Sequence, residues 1–225
     1  MKIIVFGGNG AIGSEIVNQL KKSSTNEVYT VGHKNGKLLT YNFETPSFDK
    51  LVKIGPFDAV IWAGGKNAND SIINVENESF TQIMEANLNF IVRSMTFLVN
   101  ENMLANNSSL VVISSIWQHL SRNNKLSYSV SKSALSGLIK STAIDLGKSK
   151  IRVNSVSPGV VLNEMTKKNL SSEQISKIAG ETPLQRLVTE EEIANTVLWL
   201  ISDASSGLTG QDLIVDGGWS VSRHV

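Results

Sequence analysis

The sequence predicts a single three-layer α/β domain over residues 1–225, with a doubly wound parallel β-sheet between two layers of helices. Segments with strand character alternate along the chain with segments of helical period. The strand segments are continuously apolar, which indicates burial on both faces and therefore a parallel sheet covered by helices. A length of 225 residues suits one domain with a substantial core.

Each element of this prediction rests on a short stretch of sequence. Apolar residues recur at helical spacing in three segments, which begin near Ile12, Phe80 and Ala134. The polar stretch 163–182 interrupts the alternation, and we expect it to form a surface excursion or lid over the substrate. Six apolar runs that end in glycine or a small polar residue are predicted strands: KIIVFGG (2–8), EVYTVG (27–32), DAVIWAGG (58–65), SLVVISS (109–115), IRVNSVSPG (151–159) and DLIVDGG (212–218).

The composition argues against several functional classes. Lys and Arg number 21 and Asp and Glu number 20, so no general attraction to nucleic acid or to anionic membranes is expected. Cysteine is absent and there are three histidines, so we expect no disulfide and no metal site. The apolar N-terminal run is too short for a signal peptide, and no run has the length of a membrane span. We therefore expect a cytoplasmic protein.

The first predicted strand runs through a glycine loop directly into a helix. Gly7 permits a tight turn, Gly10 lets the backbone approach a pyrophosphate, and Gly13 allows close packing of the helix. The free N–H groups at the start of that helix would receive the anion. The loop predicts a Rossmann-type dinucleotide site that includes Asn9 and Ile12, although an ordinary βα turn has similar glycines.

The stretch LSYSVSK places Tyr128 and Lys132 four residues apart, on one face of a predicted helix. Tyr128 can exchange a proton with a carbonyl or alcohol oxygen, and we expect the nearby ammonium of Lys132 to favour its phenolate form. The alternative is an accidental pair, a half-buried Tyr and a solvated Lys. Ser115, at the end of a strand, can donate to developing negative charge, or it can cap a turn. Asn87 lies in an apolar helical pattern, where its amide needs a partner.

Seven collinear motifs resemble the short-chain dehydrogenase/reductase family over nearly the whole chain. They are the glycine loop, DAVIWAGG, EANLNF, VVISS, YSVSK, RVNSVSPG and a tail from PLQRLVTEEEIA to LTGQDLIVDGG, which is similar to the 3-oxoacyl-carrier-protein reductase branch. The sequence departs from the family pattern at Phe6, Ala11, Ile61-Trp62 and Asn163. Its glycine spacing is closer to the extended and atypical branches.

The resemblance implies a reductase or dehydrogenase that transfers hydride between a nicotinamide cofactor and a carbonyl or secondary alcohol. It implies a catalytic tetrad of Asn87, Ser115, Tyr128 and Lys132. In the family, this Asn maintains a helix distortion and a water that relays protons, and the Lys also binds the nicotinamide ribose. The further cofactor contacts that we expect are Asn42, Ala63, Gly64, Pro158, Gly159 and Val161.

The end of the second strand predicts a preference for NADP(H), with NAD(H) still possible. A site selective for NAD places an acid about twenty residues beyond the glycine loop. No carboxylate occurs between Val28 and Phe43, and the expected position is His33, followed by Lys34. Lys34 could pair with a 2′-phosphate, and His33 could bond to it or stack on the adenine. A solvated basic turn is the alternative.

Other functions and partners remain open at this point. A non-catalytic nucleotide sensor or scaffold could share the fold, as could an epimerase or dehydratase of the extended branch. We expect a homo-oligomer, either tetramer or dimer, through the apolar segments 80–99 and 129–146, with Trp219 in another contact. The expected partner is otherwise a small carbonyl or alcohol substrate, bordered by Trp117, His119 and Met165. Its identity and the direction of the reaction are not determined by the sequence.

Overall fold

The computed structural model describes residues 1–32, 39–40 and 48–222, and it confirms a doubly wound parallel sheet. The strands lie in the order β3-β2-β1-β4-β5-β6-β7, and every neighbouring pair is parallel. All six predicted strands are present, and the two-residue β3 was not predicted. The strands are β1 (Lys2–Phe6), β2 (Glu27–Gly32), β3 (Leu39–Thr40), β4 (Phe57–Trp62), β5 (Leu104–Ile113), β6 (Arg152–Pro158) and β7 (Asp212–Val215).

Helices cover both faces of this sheet. Helices α3 and α4 pack on one face, with α2 against α4, and α1 and α7 pack on the other face, which gives the three predicted layers. A π-helical turn at Glu85–Asn89 joins α2 to α3. The helices are α1 (Ala11–Leu20), α2 (Asn77–Met84), α3 (Phe90–Asn100), α4 (Leu126–Leu146), α5 (Glu164–Asn169), α6 (Ser172–Glu181) and α7 (Glu190–Ile201).

Strand β1 shows how the continuous apolar runs serve both layers. Ile4 and Phe6 point into the core beneath α3 and α4, whereas Ile3 and Val5 point into the core beneath α1 and α7. All four side chains are almost completely buried. Successive strand residues face opposite sides, so only a fully apolar strand can fill two cores at once.

The order of the strands reverses between β1 and β4, and this point is where ligands bind in such sheets. Two departures from the family pattern explain each other here. Phe6 and Trp62 are register partners on β1 and β4, and their rings stack with centroids 5.7 Å apart. The Trp62 Nε1–H donates to Ser94 Oγ at 2.8 Å, so its buried polar atom is satisfied.

The polar stretch 163–182 forms the short helices α5 and α6 rather than a structureless loop. Asn163 caps α5 through Thr166, and Ser171 forms a capping box with Gln174 at the start of α6. None of the helices within the described parts of the chain is long and apolar enough to cross a membrane.

Candidate active site

The glycine loop after β1 packs so tightly that a side chain is excluded at Gly7 and at Gly13. Gly7 has φ of +79°, and a Cβ atom there would lie 2.4 Å from the backbone N of Gly64. A Cβ atom at Gly13 would lie 2.2 Å from the carbonyl oxygen of Gly7. The glycines therefore let α1 start directly against the loop, and they bring the end of β4 beside it.

Helix α1 begins without the usual anionic or hydroxyl cap. Gly10 is its N-cap residue and provides no side chain, and the first turn contains no acid. The free N–H groups and the positive end of the helix dipole are thus available to an external anion. This cradle fits the pyrophosphate of a dinucleotide, with Gly7, Asn9, Gly10, Ile12 and Gly13 as the residues that would surround it.

The end of β4 connects this cradle to the rest of the site. The Ala63 N–H donates to the Phe6 carbonyl at 2.8 Å, and Gly64 packs against Gly7. At Gly65 a Cβ atom would lie 3.1 Å from Asn87 Oδ1 and 3.7 Å from Lys132 Nζ. The glycine loop, β4 and the predicted tetrad are therefore parts of one continuous site.

Asn87 lies in the π-helical turn and is completely buried. Its Oδ1 accepts from the backbone N–H of Lys66 at 2.7 Å, and its Nδ2 donates to the carbonyl of the same residue at 2.9 Å. Nδ2 also donates to Ser131 Oγ at 2.9 Å. The amide thus joins the turn after β4 to helix α4, and its partners explain why a polar side chain occupies an apolar helical pattern.

Ser115 and Tyr128 meet at the carboxyl end of β5. Ser115 follows that strand in extended conformation, and its hydroxyl lies close enough to the Tyr128 phenol to lower the pKa of that phenol. Ser115 Oγ also accepts from the Trp117 N–H at 3.3 Å, so the capping role considered from sequence is present alongside the contact with Tyr128. The preceding Ser114 instead bonds to Gln118 at 2.7 Å.

Burial and Ser115 set the direction of the Tyr128 pKa in this structure, and the effect of Lys132 on the phenolate stays a prediction. Burial raises the pKa of Tyr128 above its ordinary value of 10, and the Ser115 hydroxyl opposes that rise only in part. The ammonium of Lys132 lies 5.8 Å from the centre of the tyrosine ring. Tyr128 is therefore a protonated phenol at neutral pH and is prepared to donate a proton.

Lys132 is buried, with 4% of its surface exposed, and Nζ donates to the Ile113 carbonyl at 3.0 Å. Burial lowers its pKa from 10.5 to about 8, so the ammonium form still predominates at pH 7. The alternative of a solvated surface lysine is excluded by this burial. The group lies between the end of β5 and Gly65, which is where the nicotinamide ribose would be bound under the predicted role.

Two functional candidates on the polar side of Tyr128 were not found from the sequence. Lys125 is 4% exposed, and its Nζ lies 5.3 Å from the centre of the Tyr128 ring. Asp70 is 8% exposed and bonds through its carboxylate to Ser127. These residues are distant from their partners along the chain and match no short motif. What marks these two residues as candidates is that they are charged and buried, and this burial is visible only in the folded chain.

The loop after β6 carries three of the predicted cofactor residues. Pro158 ends the strand, and the Gly159 N–H donates to the Val215 carbonyl at 2.9 Å. A Cβ atom at Gly159 would lie 2.6 Å from Cβ of Asp216, which explains why glycine is needed. Val161 is buried, and its carbonyl accepts from Thr166 Oγ1 at 2.6 Å.

Residues expected near the substrate have different surroundings. Trp117 packs edge-on against Trp219 with centroids 6.0 Å apart, and the guanidinium of Arg122 lies 5.6 Å from the Trp117 ring centre. His119 is bonded instead to Asp212 on β7 at 2.6 Å. The predicted cofactor residues His33, Lys34 and Asn42, and the side chain of Met165, lie outside the described part of the structure.

Carboxylates and histidines do not cluster in this site. Within residues 1–32, 39–40 and 48–222, no group of three His, Asp or Glu side chains lies close enough together to bind a metal ion. The described side chains of the site supply a phenol, a hydroxyl and an ammonium beside an anion cradle.

The known proteins that this chain resembles are reductases. The sequence profile of the family described as enoyl-(acyl carrier protein) reductase matches residues 47–220. A 3-oxoacyl-(acyl-carrier-protein) reductase FabG of Buchnera aphidicola subsp. Baizongia pistaciae is 30% identical over 237 residues, covering 96% of this chain and 95% of the relative. Carbonyl reductase (NADPH) 2 of Sus scrofa is 29% identical over 239 residues, covering 99% and 97%.

A solved structure extends the agreement to the backbone. The structure of 4-hydroxyisoleucine dehydrogenase complexed with NADH has a TM-score of 0.87 at 26% identity, and the match covers 99% of this chain and 100% of that chain. The strand order, the glycine cradle and the match to the family profile all indicate the same family. The chain belongs to the short-chain dehydrogenase/reductase family of oxidoreductases, close to the branch of the 3-oxoacyl-carrier-protein reductases.

Proposed function

We propose that this protein reduces a carbonyl group to a secondary alcohol with NADP(H) as the hydride donor. The observation that carries the proposal is the grouping of Ser115, Tyr128 and Lys132 on the same edge of the sheet as the glycine cradle. A nucleotide sensor would need the cradle but has no use for a half-buried phenol beside a buried hydroxyl and a buried ammonium.

Each side chain of the site has a role in this reaction. A bound nicotinamide cofactor would supply the hydride. Tyr128 donates its phenolic proton to the substrate oxygen as negative charge develops there, and the raised pKa of the phenol keeps that proton in place at neutral pH. Ser115 Oγ–H donates a hydrogen bond to the same oxygen. Lys132 would bind the nicotinamide ribose, and its ammonium form would supply positive charge there.

The preference for NADP(H) rests on the sequence after β2. No acid between Val28 and Phe43 could bind a ribose 2′-hydroxyl, and Lys34 would pair with a 2′-phosphate. The named relatives differ in this respect: the Sus scrofa reductase is named for NADPH, and 4-hydroxyisoleucine dehydrogenase was solved with NADH. The absence of an acid favours NADP(H), with NAD(H) as the outcome that a direct comparison must exclude.

The test is a panel of carbonyl compounds assayed by cofactor absorbance with NADPH and with NADH. Acetoacetyl-CoA represents 3-oxoacyl thioesters, and a small ketone and an aldose represent the other classes that the site could admit. We expect reduction of at least one compound, with higher kcat/KM for NADPH than for NADH. Cofactor binding without turnover of any compound would favour the non-catalytic sensor, and a preference for NADH would exclude Lys34 as a phosphate ligand.

We also propose that the protein forms a homo-oligomer through the layer of α3 and α4. Val92, Val130 and Ile144 on these helices are exposed, at 38%, 41% and 80% of their surface. Burial of such side chains in a two-fold interface would be favourable. Trp219 is partly buried against Trp117 within one chain, so it offers less to such a contact than the sequence implies. Light scattering at micromolar concentration should give a dimer or tetramer, and a monomer would exclude the proposal.

A further inference from the structure

The five residues that follow Gly65 are bonded into the walls of the active site one after another. Lys66 exchanges both backbone hydrogen bonds with Asn87, as described above. The next three residues all bond to Lys125, and Asp70 bonds to the start of α4. We call residues 66–70 the 66–70 segment. It lies between the π-helical turn that carries Asn87 and the helix that carries Tyr128.

Lys125 joins the 66–70 segment to α4 with a complete set of hydrogen bonds. Its Nζ donates to Asn67 Oδ1 at 2.6 Å, to the Ala68 carbonyl at 3.0 Å and to Asn69 Oδ1 at 2.8 Å. An ammonium has three N–H donors, so each of them has an acceptor. The group is buried at 4% exposure, and it has neutral oxygens as its hydrogen-bond partners. Lys125 is thus committed to this segment rather than available to a ligand.

Asp70 joins the same two elements from the opposite direction. Lys125 is the N-cap residue of α4 but makes no side-chain cap, and the first turn of the helix contains no acid. The Leu126 N–H instead donates to the Asp70 carbonyl at 3.0 Å, and the Ser127 N–H donates to Asp70 Oδ1 at 2.9 Å. The Ser127 hydroxyl donates to the other carboxylate oxygen. Asp70 therefore caps the catalytic helix from outside it.

These bonds fix the backbone immediately before Tyr128. The tyrosine is the third residue of α4, directly after the two residues that Asp70 caps. The Lys125 ammonium lies 5.3 Å from its ring centre, a distance at which a cation is attracted to an aromatic face. The phenol must reach both the Ser115 hydroxyl and a substrate oxygen, so a small rotation of this turn would move it out of range.

We propose that Lys125 is a positioning residue for Tyr128: its three hydrogen bonds lock residues 67–69 onto the start of α4 and hold the phenol in its proton-donating position. The inference rests on the proposed function, because positioning matters only if Tyr128 transfers a proton. It concerns no contact of Lys125 with the substrate or the cofactor.

The test compares Lys125→Met with Lys125→Arg and with the control Lys140→Met, which changes an exposed lysine of the same helix. Lys125→Met should lower kcat for the best substrate of the panel about 10- to 100-fold, with the cofactor Kd within about twofold of wild type. Lys125→Arg keeps the charge and several N–H donors and should recover part of kcat. Lys140→Met should match wild type.

A second measurement separates this proposal from the proposed function. Hydrogen exchange of the Leu126 and Ser127 amides should accelerate at least about tenfold in Lys125→Met, because the 66–70 segment loosens from α4. This readout needs no turnover, so it stands even if no carbonyl in the panel is reduced. A kcat and amide exchange unchanged from wild type would overturn the proposal. An equal loss of kcat and of cofactor affinity would also overturn it, by indicating general unfolding.

Discussion

The N–H groups at the start of α1 lack a capping side chain, whereas those at the start of α4 are bonded to Asp70. The start of α1 has neither a capping side chain nor an acid in its first turn, and a tight glycine loop surrounds it. The start of α4 also lacks a local cap, but Asp70, 57 residues earlier than Ser127, supplies a carboxylate to it. The first terminus is left for an external anion, whereas the second is neutralised internally.

The difference indicates how the two halves of the site are used. Under the proposed function, the ligand contact at α1 would be the helix terminus itself, so the backbone geometry of the loop would decide cofactor binding there. At α4 the terminus is closed, and the useful groups are the side chains of Tyr128 and Lys132 on the following turns. A carboxylate added at the start of α1 should therefore raise the free energy of unfolding and weaken NADPH binding. Removal of the Asp70 carboxylate at the start of α4 should lower the free energy of unfolding and leave NADPH binding nearly unchanged.

The largest effect should come from closing the first terminus with Gly10→Asp. The backbone at Gly10 is extended, and a Cβ atom there would lie 3.4 Å from its nearest neighbour, so the side chain fits. Its carboxylate would cap α1 and occupy the place of the pyrophosphate. We expect NADPH affinity to fall about 100-fold or more, while the free energy of unfolding rises by about 0.5–1 kcal/mol.

Fluorescence titration with NADPH and urea unfolding would measure both changes. Gly10→Ala is the matched control, since it adds the same Cβ atom without the charge, and its NADPH affinity should fall much less than that of Gly10→Asp. Equal NADPH affinities of Gly10→Asp and Gly10→Ala would show that the start of α1 is not the phosphate site.

A smaller effect, on stability, should follow from opening the second terminus with Asp70→Ala. The change removes a buried carboxylate and leaves the N–H and hydroxyl of Ser127 without their acceptor. We expect the free energy of unfolding to fall by about 2 kcal/mol, since a lost cap and an unsatisfied buried donor each cost about 1 kcal/mol. NADPH affinity should change little, because the cradle at α1 is untouched.

Asp145→Ala is the control for this change, because Asp145 is an exposed acid on the same helix. Urea unfolding of both variants would give the difference directly. Equal free energies of unfolding for the two variants would mean that Asp70 does not stabilise the start of α4.

Local sequence patterns were enough for the elements that are governed by local physics. The six apolar runs predicted six strands because burial on both faces leaves a continuous signal, and the loop at Gly7 and Gly13 was found because close backbone packing demands glycine. Strand β3 was missed because two residues, Leu39 and Thr40, have no periodicity to detect.

The environment of Tyr128 could not be predicted in the same way. Its helical spacing to Lys132 is visible in the sequence, but the burial that raises its pKa depends on the whole fold. Asp70 and Lys125 are bonded across 56–58 residues of chain, and no local pattern relates them. Side chains that act through distant tertiary contacts become visible only once the chain is folded.

Tyr128→Phe tests most directly whether Tyr128 donates the proton in a carbonyl reduction. The substitution removes one hydroxyl and keeps the ring that packs near Lys125 and Lys132. Tyr29→Phe is the control, since Tyr29 lies on β2 and bonds to Glu27. With the best substrate of the panel, we predict that Tyr128→Phe lowers kcat about 10²- to 10⁴-fold while the NADPH Kd stays within about twofold of wild type. A Tyr128→Phe protein that keeps the kcat of wild type and of Tyr29→Phe would contradict the account.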